Sequence, residues 1–379
     1  MNTGCWALRY LPERLRQRGT ALCRMAAKRL VTNPGNAPTM PDIEALQRLA
    51  VEEYQRSIEK LPVEQRPLRP SPVISAMVSL AIHYASFYLA GRQIYDVNTR
   101  TGALLASADY RDVPASMLVL PFTSIYLHFG PQPFRIKGAS FEGAFASIYQ
   151  RRLQLVLTTA PTAGWASGNE VTHPTQYLYL VVDLSNADVD TPLGDLVAEA
   201  VDAEREQLIQ AASIPVQESR VGEAVVIDRR GAGSQEDLEN FELAIESLDD
   251  AMRLVVNTII FITAYRENIT KRWTEGTPDA VSSAADGAGR PKKVVEAKAL
   301  AAENGYYKTN FVGERFECAV EGTAGSVEGV APHWRRAHWR VQRFGQGLQE
   351  RKVVLIKQVL VNASKLGSDQ SPAGRVTKL

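Results

Sequence analysis

Residues 333–343 hold the side chains in this chain that are best suited to chemistry. This stretch contains two of the five histidines, two of the five tryptophans and four arginines, and His-Trp-Arg occurs in it twice. Guanidinium groups pair with phosphate oxygens, and indole faces stack on unpaired bases. We therefore predict contact with nucleic acid through a set of eight residues: His333, Trp334, Arg335, Arg336, His338, Trp339, Arg340 and Arg343.

Other interpretations of this stretch stay open. Histidine titrates near neutral pH, so His333 and His338 form an alternative catalytic pair for metal-free RNA cleavage. In that case Arg335 or Arg340 would stabilise the developing charge. The two histidines also have zinc-finger spacing, but Cys318 is the one cysteine within reach, so we predict no metal and no cofactor. In the structural interpretation, the tryptophans cover a sheet, the arginines stack on them, and the chain is a structural or regulatory interaction protein.

The elements that position this stretch predict an α+β fold. Strand-rich runs separated by Gly- and Pro-bearing turns indicate a mostly antiparallel sheet flanked by helices. Residues 96–102 read as a turn between two short strands. The apolar run 353–361 follows the basic stretch directly, which predicts a C-terminal basic strand–turn–strand segment. The predicted strands of the sheet are Met117–Leu120, Ser124–Phe129, Phe141–Tyr149, Leu153–Thr159 and Gln176–Leu184.

Three helices are expected to cover this sheet. Residues 70–91 carry no charge, but their serines, small residues and His83 favour a buried core helix over a membrane span. A second helix starts at Pro192 and runs to about residue 212. A third starts near Ser234. Apolar residues at steps of three and four, from Leu238 to Ile262, indicate that it packs against the sheet.

The chain divides into five predicted segments. Residues 1–40 are basic and read as a disordered extension, and residues 41–273 form the α+β core. A linker rich in small residues covers 274–293. The basic and aromatic segment spans 294–365, and a tail spans 366–379.

Charge is segregated along the chain although the total is only +1. Residues 188–253 contain 17 acidic and 5 basic side chains, whereas residues 331–379 contain 10 basic and 2 acidic ones. The near-zero total therefore does not exclude a nucleic-acid partner. The acidic middle is either a solvated surface or a docking site. The docked partner would be a basic peptide or the protein's own tail.

The cysteines indicate the redox compartment, and the missing motifs limit the classes of enzyme to which the chain could belong. Three widely spaced cysteines without a CxxC pair suit a reducing cytosol better than a disulfide framework. No P-loop, GxGxxG, GxSxG or HExxH motif is present. His128 and His173 lie in the β-rich region with Glu142 and Asp183, but sequence cannot join them into a site.

The C-terminal stretch resembles the signature of a family carried by phages and plasmids, which includes a type V-A anti-CRISPR protein. The resemblance rests on residues 332–340, on Arg343-Phe-Gly345 and on the strand ending at Val361. Two departures are present: Ala337 replaces the usual glycine, and residues 355–358 replace Trp-Ile-x-Pro. The match covers about 30 of the 379 residues.

The resemblance implies a protein that blocks production of a type V effector nuclease. It implies recognition of the effector's nascent N-terminal peptide, loss of its mRNA, and action in the cytoplasm of a bacterial host. The expected partners are that peptide or protein target and, through the eight basic and aromatic residues, RNA or the ribosome. No membrane partner is expected.

Overall fold

The computed structural model describes most of the chain between residues 9 and 361. The described ranges are 9–18, 72–136, 138–160, 177–215, 217–221, 224–228, 230–287, 289–304, 306–316, 323–324 and 333–361, together with residues 44, 45, 48, 49, 52, 55, 56 and 59–65.

The helices of the described residues range from two to ten turns. The longest, α5, carries the predicted apolar stripe, and its residues 251–262 are buried throughout, as expected for a helix that lies on a sheet. In chain order they are α1 Leu11–Arg18, α2 Pro72–Leu89, α3 Thr99–Ser107, α4 Leu193–Ala212, α5 Arg230–Ala264, α6 Asp279–Asp286 and α7 Pro291–Glu303.

The strands include the long, apolar runs that the sequence predicts between residues 124 and 184. In chain order they are β1 Ile94–Val97, β2 Ser124–His128, β3 Arg135–Ile136, β4 Ala139–Tyr149, β5 Arg152–Thr159, β6 Tyr177–Asp183, β7 Gln217–Val221, β8 Ala224–Asp228, β9 Ile269–Trp273, β10 Lys308–Val312, β11 Thr323–Ala324, β12 His333–Arg335, β13 His338–Phe344, β14 Glu350–Ile356 and β15 Val359–Val361.

The main sheet has the strand order β6-β5-β4-β2-β1-β10-β9, and β3 pairs with β4. Its centre is parallel, because β1 runs in the same direction as both β2 and β10. The other pairs are antiparallel. The predicted fold class, α+β with a mostly antiparallel sheet and a C-terminal strand–turn–strand segment, is confirmed.

Each face of the main sheet has its own core. Successive strand residues point to opposite faces, so Ile125 and Leu127 join one core while Tyr126 joins the other. The first core contains residues of α3, α4 and α5, and also Trp339 and Leu355 of the C-terminal segment. The second contains residues of α1 and α2. The sheet is thus covered by helices on both sides.

Two local expectations were wrong. Residues 99–107 form α3 rather than part of a turn, because the Asn98 side chain accepts a hydrogen bond from the Arg100 N–H at 2.9 Å and caps the helix. Residues 117–120 form no strand, since residues 115–117 form a 3₁₀ turn that extends to Leu118.

The structure also differs from the predicted segments. Within the expected disordered extension, residues 11–18 form α1, and Tyr10 and Leu15 are fully buried. Within the expected linker, α6 forms, and Asp286 accepts a hydrogen bond from the Trp273 indole at 2.7 Å. Strand β10 lies between β1 and β9 in the main sheet, so the C-terminal part of the chain completes the core. Long-range pairing of this kind leaves no local signal in the sequence.

Among the described helices, none combines the length and the apolar character needed to cross a bilayer.

Candidate functional site

Strands β13 and β14 form an antiparallel hairpin, called the basic hairpin here, that carries much of the predicted nucleic-acid stretch. The register runs from His338 opposite Ile356 to Phe344 opposite Glu350. Gly345 and Gly347 in the turn have φ angles of 78° and 68°, a region that favours glycine. The sequence therefore specifies both the strands and the turn between them.

The Trp339 side chain anchors the basic hairpin to the protein core. Its indole N–H donates a 2.7 Å hydrogen bond to Oδ1 of Asn257, in the C-terminal part of α5. The Asn257 amide in turn donates to the carbonyl oxygens of Leu105 and Ala108, at 2.7 and 2.9 Å. Asn257 is fully buried, and Trp339 is only 7% exposed. One asparagine thus joins α3, α5 and the basic hairpin.

Two further hydrogen bonds hold the basic hairpin in this position. The Asp109 N–H donates to the Ala337 carbonyl at 2.9 Å. Ala337, which stands where the resembled family has glycine, is fully buried. On the other strand, the Leu355 N–H donates to the Tyr265 hydroxyl at 2.9 Å. The hairpin is therefore held by its backbone as well as by Trp339.

The exposed part of this segment is cationic. Arg335, Arg336, Arg340 and Arg343 are all exposed. Strand alternation puts Arg340 and Gln342 on the face opposite Trp339. Lys352 lies on the same face as Arg340, because it pairs directly with Gln342. The Lys352 ammonium lies 5.3 Å from the Phe344 ring centre. Cationic groups beside an exposed aromatic ring suit phosphate and base contacts.

Both ring nitrogens of His338 contact polar groups of neighbouring residues. Nδ1 lies 3.2 Å from the Arg336 carbonyl oxygen, and Nε2 lies 3.5 Å from Nη2 of Arg335. A neutral ring with its proton on Nδ1 would donate to the carbonyl and accept from the guanidinium. This arrangement gives His338 a local structural role, and it provides no geometric support for the catalytic alternative.

The eight predicted residues thus have different placements. Four arginines are exposed, His338 is half-buried, and the Trp339 indole is enclosed and cannot stack on a base in this fold. The backbones of His333 and Trp334 lie in β12, which pairs with β15. Their side chains lie outside the described residues, as do Cys318 and His173. Asp183 is at the end of β6, 3.1 Å from Arg152, away from the other predicted polar residues.

The structure brings together a second polar cluster, which sequence reasoning did not assemble. Asp96 of β1 lies opposite His128 of β2 in the parallel register, and Oε1 of Glu142 on β4 is 3.6 Å from Nδ1 of His128. These three residues are called the ionic groove here. Each is at most 5% exposed. A signal existed in the sequence, because Asp96 and Glu142 are charged residues within largely apolar strands and His128 ends another.

Residues 9–14 cover the ionic groove and supply its partners. Arg14 forms a 2.7 Å ion pair with Glu142, with both side chains almost completely buried. Arg9 lies 3.0 Å from Asp96, and the Tyr10 hydroxyl donates to the same carboxylate at 2.7 Å. The two carboxylates of the groove are therefore matched by two guanidinium groups of the N-terminal segment.

Burial controls protonation in the ionic groove. It raises the pKa of Glu142 and that of Asp96, and the arginines Arg14 and Arg9 oppose these shifts. Burial, helped by the positive charges of Arg9 and Arg14, lowers the pKa of His128 to about 3, so the ring is neutral at physiological pH. Its Nε2 accepts from Arg9 at 3.4 Å, which puts the proton on Nδ1, and that N–H has no hydrogen-bond partner.

The acidic middle of the chain forms helix surfaces. On α4 the exposed acids recur at steps of four, three and four residues, which puts them on one side of the helix: Asp195, Glu199, Asp202 and Glu206. The Arg351 guanidinium of the basic hairpin pairs with Asp190, so the acidic stretch contacts the protein's own basic segment. In the part of the chain that the structure describes, no group of three potential ligands is placed to hold a metal ion.

The fold and its exposed guanidinium groups define an α+β protein with a cationic surface in its C-terminal segment. The chain belongs to the AcrVA2-like family, described as the anti-CRISPR type V subtype A2 family, whose model matches residues 95–363. It is thus a member of an anti-CRISPR family. A crystal structure of AcrVA2 matches with a TM-score of 0.41 and 14% identity, over 93% of this chain and 97% of that chain. No curated protein matches the sequence.

Proposed function

We propose that this protein represses production of a type V effector nuclease by recognising the effector's nascent N-terminal peptide and promoting loss of its mRNA. The observation that carries the proposal is the family match across residues 95–363, which includes the main sheet and the basic hairpin. The mechanism is the one that the C-terminal resemblance implies.

The exposed arginines are the residues to which we assign contact with RNA or the ribosome. Arg335, Arg336, Arg340 and Arg343 present guanidinium groups to solvent, and such groups bind phosphate oxygens bidentately. Trp339 acts on this surface indirectly, because it holds the basic hairpin against α5 through Asn257. The unpaired-base contact predicted for an indole is therefore assigned to Trp334 alone.

A repression assay in bacteria tests the proposal. An effector gene would be expressed with and without this protein, and effector protein and effector mRNA would be measured. We expect both to fall when the protein is present. A variant in which Arg335, Arg336, Arg340 and Arg343 are changed to glutamine should restore them, whereas Arg290→Gln, at another exposed site, should not. Unchanged effector protein and mRNA in the presence of the wild-type chain would contradict the proposal.

A further inference from the structure

The ionic groove is unusual for a surface that only packs a helix. Asp96, His128 and Glu142 lie on three neighbouring strands and face the side of the sheet that α1 covers. Burying carboxylates is costly unless cations accompany them, and replacing buried ion pairs by apolar residues is often neutral or stabilising. A helix that merely completes a core therefore needs no such charges beneath it, whereas a recognition site for a charged segment does.

The place of the groove in the sheet also suits binding. Asp96 and His128 are close to the carboxyl ends of β1 and β2, which are parallel strands. In open sheets that contain parallel strands, ligands bind preferentially beyond the carboxyl ends of those strands.

The segment that now lies in the groove is a cationic helical peptide. Arg9 and Arg14 meet the two carboxylates, while Tyr10 and Leu15 are fully buried beside them. The Tyr10 ring contacts the His128 ring edge-on, with centres 4.9 Å apart. The fit is incomplete, since the buried Nδ1 of His128 lacks a hydrogen bond.

We infer that the ionic groove is a binding site for a cationic helical peptide of another protein, and that residues 9–18 occupy it as an autoinhibitory segment. The matching peptide carries two arginines spaced as Arg9 and Arg14 are, with an aromatic residue next to the first. This inference rests on the proposed function, and it makes the groove, rather than the acidic side of α4, the place where a target peptide docks.

A fluorescence anisotropy experiment with the full chain tests the inference. The probe is a labelled synthetic peptide with the sequence of residues 9–18. A tethered segment has an effective concentration in the millimolar range, so wild-type protein should bind the probe only weakly. The variant Arg14→Glu carries a repelling charge in its own segment, and we expect it to bind the probe at least tenfold more tightly.

Controls identify the groove as the site. Adding Glu142→Gln to the Arg14→Glu variant should weaken probe binding again, and a probe that carries Arg14→Glu itself should not bind. Changing Asp195, Glu199, Asp202 and Glu206 to their amides in the Arg14→Glu background should leave binding within about twofold. Failure of a folded Arg14→Glu variant to bind the probe would overturn the inference.

Hydrogen exchange of the unmodified chain gives a second test if the variant does not fold. A displaceable segment opens locally, so amides of residues 13–18 should exchange at least tenfold faster than those of β2 and β4. Exchange of α1 only through global unfolding would show that it is a permanent part of the core. Both tests are independent of effector repression. Peptide binding without repression would therefore count against the proposed function alone, and repression without peptide binding against this inference alone.

Discussion

At the scale of single residues, Asn257 of α5 is the side chain that holds the basic hairpin through Trp339. Both of its side-chain polar atoms are used, with three hydrogen bonds to Leu105, Ala108 and Trp339. Each partner is remote in sequence from Asn257, so no local pattern could have revealed the network. The sequence did allow the structural interpretation of Trp339 as a side chain that covers a core, and the structure agrees with that interpretation for this residue.

The substitution Asn257→Ala should lower the free energy of unfolding by about 3 kcal/mol, because it removes three buried hydrogen bonds and with them the Asn257 acceptor of the Trp339 indole N–H. Urea denaturation would measure the change. Asn304→Ala removes a hydrogen bond to the Leu300 carbonyl at an exposed site, and it should cost less than about 1 kcal/mol. Equal losses in the two variants would show that the buried network contributes nothing special.

His83 should make stability dependent on pH. Burial lowers the pKa of His83 to about 4, whereas an unfolded chain would titrate this group near 6.5. Between these values the unfolded state binds a proton that the folded state does not, so stability falls as the pH falls through this window. The buried carboxyls Asp96 and Glu142 have raised pKa values and act in the opposite direction, so the wild-type curve alone is not diagnostic.

The variant His83→Gln isolates this contribution, since it leaves those carboxyls in place. Between about pH 7.5 and pH 5, the wild type should lose about 2 kcal/mol more stability than the variant. Chemical denaturation at the two pH values measures both differences. Parallel losses in the two proteins would mean that His83 is not kept neutral by burial.

At the scale of elements, close backbone packing joins β10 to α3. Gly313 follows β10 with φ of 77°, and its carbonyl accepts a hydrogen bond from the buried Thr101 hydroxyl at 3.1 Å. A Cβ atom at Gly313 would overlap the Thr101 side chain. Glycine is therefore required by both conformation and space.

The substitution Gly313→Ala should cost about 3 kcal/mol or more, because a strained φ is combined with a steric clash. Gly130→Ala is the matched control: Gly130 has φ of 68°, but a Cβ there meets nothing within 4 Å. Its cost should stay near 1 to 2 kcal/mol. Thermal or urea unfolding of both variants checks the difference, and similar costs would argue against the close packing of β10 on α3.

The elements that the sequence predicted well are those with local signals. The apolar stripe predicted α5, Pro192 marked the start of α4, and the apolar run 353–361 after the basic stretch predicted a strand–turn–strand segment, although the run is divided between β14 and β15. The missed features depend on distant partners. Residues 9–18 form a basic, polar segment, and its buried position depends on distant partners, since Arg9 pairs with Asp96 and Arg14 with Glu142. The pairing of β10 with β1 likewise joins residues that are more than 200 positions apart in the sequence.

At the scale of the whole molecule, the near-neutral total charge is divided among three places. These are the exposed arginines of the C-terminal segment, the acidic surface of α4, and the buried ionic groove, whose carboxylates pair with Arg9 and Arg14. The first should bind RNA in a salt-dependent way, because each phosphate contact releases counterions. Changing Arg335, Arg336, Arg340 and Arg343 to glutamine should reduce the slope of log K against log salt by about 0.7 for each arginine that contacts a single strand. Arg290→Gln should leave the slope unchanged.

Filter binding with a labelled single-stranded RNA at several salt concentrations measures this slope. The same samples report cleavage. Loss of RNA integrity without added metal, abolished by His338→Ala, would revive the catalytic alternative for His333 and His338. Equal slopes for the wild type and the fourfold variant would show that these four arginines do not contact RNA.

The central proposal is that the nascent peptide, rather than the RNA sequence, marks the effector message for loss. Two altered effector genes separate these possibilities. In one, the first codons are recoded synonymously, so the peptide is unchanged; in the other, paired frameshifts change the peptide and keep almost the same nucleotides. We measure effector mRNA in cells with and without this protein. The proposal predicts loss of the recoded message and survival of the frameshifted one, whereas the reverse pattern would contradict it.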